Sequence, residues 1–142
     1  MTIAIDTTTS IAAPPDAVWA ALTDWSLAPR WMPGVSAMTG PVAPGSTVTF
    51  TVRGKERTAL VDGLDAPRRL ALLSRSGPVT AVYTYTLTPT VPGTDLRLVA
   101  DVVVRGPLKL LAGVIRRSIA QEDGVQPERL RAVVEAGSRP AG

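Results

Sequence analysis

A chain of 142 residues, 45% of them hydrophobic, has the size of one domain and at this length buries roughly two thirds of its unfolded surface without a covalent staple. It contains no cysteine and no histidine, which excludes disulfides, thiolate metal sites, cysteine nucleophiles and any Ser-His-Asp triad. The formal charge is +3, but the basic residues are scattered among few aromatics, unlike a nucleic-acid surface.

No stretch approaches the about 18 apolar residues of a membrane span. The opening MTIAIDTTTS lacks the basic start and apolar run of a signal peptide. The expected setting is cytoplasmic, with no nucleic-acid partner.

Residues 3–11, IAIDTTTSI, are rich in β-branched side chains and read as a strand. Pro14 and Pro15 end it, and Pro15 suits a first helical turn. Asp16 places a favourable charge there. Val18 and Leu22, with Trp19 or Ala21, give an apolar face at helical spacing up to Asp24. Ser26 is the expected cap of a second short helix over residues 27–32, stopped by Pro33 and Gly34. VSAMTG (35–40) reads as a short strand and PVAPG (41–45) as a loop.

An antiparallel meander follows. In STVTFTVR, Val48, Phe50 and Val52 share one face, and Gly54 marks a hairpin. ERTALVDGL is the next strand, and DAPRR the turn after it. Gly77 and Pro78 mark the hairpin between LALLSRS and VTAVYTYTLTP. In the latter Val79, Ala81, Tyr83, Tyr85 and Leu87 share a face. After TVPGTD, the strand LRLVADVVV puts Leu96, Leu98, Ala100, Val102 and Val104 on one side.

Gly106 and Pro107 open a long helical segment. Leu111, Ile115, Ile119, Gln126, Leu130 and Val133 hold one helical phase across Asp123-Gly124-Val125-Gln126-Pro127. This predicts one kinked helix in preference to two helices broken at Gly124. Leu108, Leu110 and Leu111 beside basic residues match a membrane-surface pattern, but the sheet needs a cover, so this segment is expected to pack on it. The pattern is α+β, with about six to seven antiparallel strands curling around a long C-terminal helix and two short helices after the first strand. Residues 1–137 are the expected single domain and 138–142 a disordered tail.

The segment SIAAPPDAVWAALTDWSLAPRWMPGV (10–35) resembles the START-like, or SRPBCC, superfamily. The chain is most similar to its small bacterial polyketide cyclase/dehydrase and lipid transport members. LDAPRRLALLS, YTLTPTVPGTDLRL and RGPLKLLAGVIRR extend the resemblance over nearly the whole chain. It implies the helix-grip fold, in which sheet and last helix enclose a cavity for an apolar ligand, with the short helices at its floor or mouth. The function implied is binding or carriage of a small hydrophobic or amphipathic molecule that is lipid-, polyketide- or isoprenoid-like. The alternative is a cofactor-free polyketide cyclase or dehydratase in the same cavity, and a further one is a partner-protein-binding module. No cofactor or metal is implied, and the chain is expected to be a monomer or homodimer.

Expected ligand contacts are Trp31, Met32, Phe50, Tyr83, Tyr85, Leu111, Ile115 and Ile119. Catalytic candidates are Tyr83, Tyr85, Arg75 and Ser74: a phenol or guanidinium can polarise a carbonyl, and Ser74 shares the face of Leu70 and Leu72. Trp25 is expected to cover the sheet's end. Asp62 reads as solvated, with Gly63 a possible bulge. Asp101 reads as part of a solvent-facing cluster with Arg97 and Arg105, and Glu122 and Asp123 as surface or helix-end charges. A carrier predicts a smooth apolar cavity, a cyclase two or more convergent polar side chains, and a partner-binding module a collapsed cavity with an exposed apolar patch.

Overall fold

The computed structural model describes residues 2–138. Seven strands form one antiparallel sheet: β1 (Ile3–Ile11), β2 (Val35–Thr39), β3 (Thr47–Val52), β4 (Lys55–Asp65), β5 (Arg69–Ser76), β6 (Val79–Pro89) and β7 (Thr94–Val104). Their spatial order is β1-β7-β6-β5-β4-β3-β2. Consecutive strands from β2 to β7 are neighbours, and β1 closes onto β7. Helices α1 (Pro15–Thr23) and α2 (Ala28–Trp31) lie between β1 and β2, and α3 (Ala112–Asp123) and α4 (Gln126–Ser138) follow β7. This is the helix-grip arrangement of α+β type. The tail expected at 138–142 lies, from residue 139 on, outside the described residues.

The alternation along β7 translates directly into burial. Leu96, Leu98, Ala100, Val102 and Val104 are all buried on one face. Opposite them in register stand Leu87, Tyr85, Tyr83, Ala81 and Val79 of β6. Register shifts at Ile3/Ile5, Val35/Ala37 and Val61/Gly63 add an unpaired residue, which bends a strand and strengthens its twist. The last of these confirms the bulge at Gly63. It leaves Leu60 and Asp62 exposed while Ala59 and Val61 point inward.

The first and last strands are locked at one end. Thr94 Oγ1 donates to Ala13 O at 2.7 Å. A Cβ on Gly93 would stand 2.1 Å from Ile11 O, so only glycine permits this approach of the turn to β1.

The helical readings need three corrections. Ser26 is not a cap: Asp24 is, accepting from Ser26 N at 3.1 Å and Ser26 Oγ at 2.6 Å, and Trp25–Leu27 is a 3-10 turn ahead of a four-residue α2. Gly106–Leu111 is also 3-10; its three residues per turn differ from the α-helical 3.6, so Leu108, Leu110 and Leu111 fall out of the buried stripe and face solvent. Finally, the last helix is interrupted at Gly124–Val125. Gly124 keeps right-handed φ and ψ and donates to Ala120 O at 3.0 Å, but Pro127 has no N–H to continue the ladder. The phase survives the break well enough that Gln126 and Leu130 are buried, with Val134 completing the stripe in place of Val133.

Leu130 is fully buried where α4 meets the main core. Leu130→Ala is expected to cost about 2–5 kcal/mol in denaturant unfolding. A loss under about 1 kcal/mol would mean that α4 does not pack as described.

Candidate functional site

Between the inward face of β2–β6 and the α3–α4 turn lies a cavity of about 300 Å³, at the lower end of the range for small-molecule sites. It exists because the facing strands carry short side chains: Ala59 on β4, Ser74 on β5 and Ala81 on β6 all line it. Apolar walls come from Met32, Val35, Met38, Phe50, Leu72 and Ile119. Polar groups concentrate on the helix side and at the mouth. The mouth carries Arg53, which is ion-paired with Glu122 of α3, and Arg57, which donates to Ser76 Oγ at 2.5 Å.

The helix side is a four-residue network. The Tyr85 hydroxyl, fully buried, donates to Gln126 Oε1 at 2.6 Å. That bond fixes the orientation of the amide, whose N–H₂ is left to donate. Asp123 takes hydrogen bonds from both Gln126 and the Tyr83 hydroxyl. Two donors therefore converge on one carboxylate, and Tyr85 reaches it only through the Gln126 amide.

Burial pushes the Asp123 carboxyl above the usual carboxylate range, against the lowering effect of the bonds from Tyr83 and Gln126. Burial also drives both phenols up, and the neighbouring Asp123 charge adds to it. Both tyrosines are neutral hydroxyls at any ordinary pH. Behind Tyr85, Trp31 meets its ring edge-on, with centroids 5.8 Å apart at 88°, a favoured aromatic geometry. Among the described residues, the Trp31 indole N–H has no hydrogen-bond partner.

Six of the expected site residues line the cavity: Met32, Phe50, Ser74, Tyr83, Tyr85 and Ile119. Four do not. Trp31 is 1% exposed and stands behind Tyr85 as its support. Arg75 alternates with Ser74 and so faces solvent. Leu111 is exposed on the 3-10 turn, and Ile115 packs with Ala81, Val102, Val104 and Ala112 in a second cluster. Trp25 is buried, its indole N–H donating to Gly40 O at 3.1 Å. Asp101 is half-buried and accepts from Thr2 N at 2.9 Å, while Arg97 pairs with Asp6 instead.

Sequence reasoning missed Asp123, Gln126, Arg53, Arg57 and Glu122. The signal for the first two was present: Gln126 is a polar residue in an otherwise apolar stripe, and Asp123 sits one turn before it on the same face. Among the described residues no cluster of His, Cys, Asp or Glu has a metal-binding arrangement.

Residues 2–135 match the family model for polyketide cyclase / dehydrase and lipid transport. The chain belongs to this family. Solved structures confirm the fold. The aromatase/cyclase ZhuI from Streptomyces sp. R1128 superposes with TM-score 0.77 at 20% identity, over 97% of this chain and 96% of that one. The di-domain aromatase/cyclase BexL of the BE-7585A biosynthetic pathway gives 0.81 at 19% identity over 99% of this chain, which spans 48% of BexL. A protein of Mesorhizobium loti gives 0.76 at 22% identity over 96% and 98% of the two chains. No curated protein matches the chain.

The raised Asp123 carboxyl carries a pH signature. Its unfolded value is 3.8 and the folded one is higher, so the favourable protonated contribution is complete below 3.8 and is lost as pH rises through the folded value. Asp123→Asn keeps an acceptor for Tyr83 but cannot ionise. It should gain stability over the parent chain at pH 7, and the gain should shrink toward pH 4 in paired urea titrations. A stability difference independent of pH would contradict a raised carboxyl.

Proposed function

We propose that the cavity binds a small, largely apolar organic molecule bearing carbonyl or hydroxyl oxygen at one end. The observation that carries this is the division of the lining: apolar side chains from Met32, Val35, Met38, Phe50, Leu72 and Ile119, and polar groups gathered where Tyr83 and Tyr85 of β6 meet Asp123 and Gln126 and at the mouth with Arg53 and Arg57. An apolar body is held by burial, at roughly 25 cal/mol per Å² removed from water. Its oxygens find charged donors at Arg53 and Arg57 of the mouth, which fixes its direction. Membership of the polyketide cyclase / dehydrase and lipid transport family and the likeness to the aromatase/cyclase ZhuI support a polyketide-like compound as the ligand class.

One observation favours a reaction in the same cavity. A carbonyl compound's acidic C–H needs a base whose pKa approaches the working pH, and Asp123 is a desolvated carboxylate held in place by two hydrogen bonds. In a cofactor-free cyclisation, the Asp123 carboxylate takes a proton from the carbon between two carbonyls. The resulting enolate's electron pair forms a bond to the carbon of a further carbonyl, whose π pair moves onto its oxygen, and the proton on Asp123 passes to the new alkoxide. Arg57, which has only the neutral Ser76 as its hydrogen-bond partner among the described residues, offsets the negative charge on oxygen. Convergence of Tyr83, Tyr85 and Asp123 supports this reading over a passive carrier. An open cavity does not support a pure partner-binding module.

The test is native mass spectrometry of the protein as purified, followed by denaturing extraction and identification of bound molecules. An oxygenated, largely apolar compound of low mass is expected, with its occupancy reduced at least about tenfold in Ser74→Leu, which narrows the cavity. Asp123→Asn should still bind but lose turnover of that compound, while Arg75→Ala, on the outer face, should change neither. A protein that emerges empty, with a melting temperature unmoved by a panel of apolar carbonyl compounds, would contradict the proposal.

A further inference from the structure

The exposed apolar side chains of this protein are not spread evenly. Leu108, Leu110, Leu111 and Val114 are 41%, 94%, 50% and 63% exposed, and neither hydrophobic cluster includes them. They sit on the 3-10 turn after β7 and on the first turn of α3. Arg105 N donates to Pro78 O at 2.9 Å, which seats this turn beside the β5–β6 hairpin. Ile3, also exposed, opens β1 opposite Asp101 at the same end of the sheet. The cavity opens at this end too, since Val52, Arg53, Ser76 and Val79 line it.

The charge here is predominantly basic, with Glu56 beside Lys55, Asp101 opposite Ile3 and Glu122 paired to Arg53 as the acidic residues near it. From residue 105 to 121 the chain has Arg105, Lys109, Arg116 and Arg117 and no Asp or Glu. Among the described residues Arg105, Lys109 and Arg117 form no ion pair, and all three are exposed. Lys55 and Arg75 project from the neighbouring hairpins. Among the described residues, the ion pair at this end joins Arg53 and Glu122.

We propose that this end docks on an anionic lipid bilayer. Leu108, Leu110 and Leu111 on a short protruding turn suit the boundary between headgroups and acyl chains. The unpaired cations around them suit lipid phosphates and carboxylates, each adding to the attraction within a Debye length of the surface. Long arginine and lysine stems let the charge stay at headgroup level while the leucines enter. Docking in this orientation turns the cavity mouth toward the membrane, so an apolar ligand exchanges with the bilayer without crossing bulk water. The surface is separate from the cavity's polar network, and docking stands whatever the cavity binds.

Co-sedimentation of the full chain with vesicles tests this. One set is phosphatidylcholine alone, and the other contains about one third phosphatidylserine. The protein should bind the anionic set at least about tenfold more tightly, with the advantage falling as salt is raised. Leu110→Asp and Lys109→Glu should each weaken binding severalfold. Val91→Asp should not, because Val91 is fully exposed on the β6–β7 turn at the opposite end of the sheet. All three positions are exposed, and unchanged melting temperatures would verify intact folds. Failure to bind anionic vesicles, or equal binding by parent and Leu110→Asp, would overturn the proposal. So would a dimer in light scattering without vesicles that Leu110→Asp dissociates, because the patch would then belong to a second copy. A cavity found empty beside intact vesicle binding would count against the ligand proposal alone.

Discussion

The arrangement depends on the hydrogen bonds that two inward tyrosines of one strand make to the turn between α3 and α4. Tyr83 and Tyr85 are neighbours on the same face of β6, and their hydroxyls reach Asp123 and Gln126, one turn apart on the helix side. A sheet and a helix that both presented only aliphatic side chains would close on each other to native density. Here two rigid phenols stand as struts beside the short side chains of Ala59, Ser74 and Ala81, and the space between remains open. Trp31 braces the deeper strut through its edge-on contact with Tyr85, so α2 contributes to the site without touching the cavity.

The struts also set the electrostatics. A carboxylate taken out of water is costly unless hydrogen bonds replace its hydration. Asp123 has such bonds from Tyr83 and Gln126, and burial still holds its carboxyl above the ordinary range. The chain thus keeps a group that weakens the fold as it ionises. Such a group is characteristic of a functional site. Its place on the polar side of an apolar cavity is where a base acting on the proposed carbonyl compound would be useful. The predominantly basic, leucine-rich end at the cavity mouth gives the same molecule its proposed direction relative to a membrane.

Much of the fold was legible because one face of the sheet is buried and strand period is two. The alternation in LRLVADVVV and VTAVYTYTLTP named the inward sets of β6 and β7, including both tyrosines. Single-residue alternation also separates Ser74, inside, from Arg75, outside. The helical segment was less legible, because a 3-10 turn and a missing proline N–H shift the phase without altering composition. Leu111 left the stripe for that reason, and Val134 replaced Val133. Asp123 read as a helix-end charge, which it is; the tyrosine that buries it lies 40 residues earlier, and no local pattern carries that contact. Gln126, polar within an apolar stripe, was the trace it left.

The most direct test of this account is the titration of the Asp123 carboxyl carbon, followed by NMR in the full chain. The midpoint is expected above the unfolded value of 3.8. A further rise is expected in Tyr83→Phe, because the lost hydroxyl had favoured the ionised form. A midpoint at or below 3.8, indifferent to Tyr83→Phe, would show an ordinary solvated carboxylate and would contradict the desolvated, hydrogen-bonded network on which the site is built.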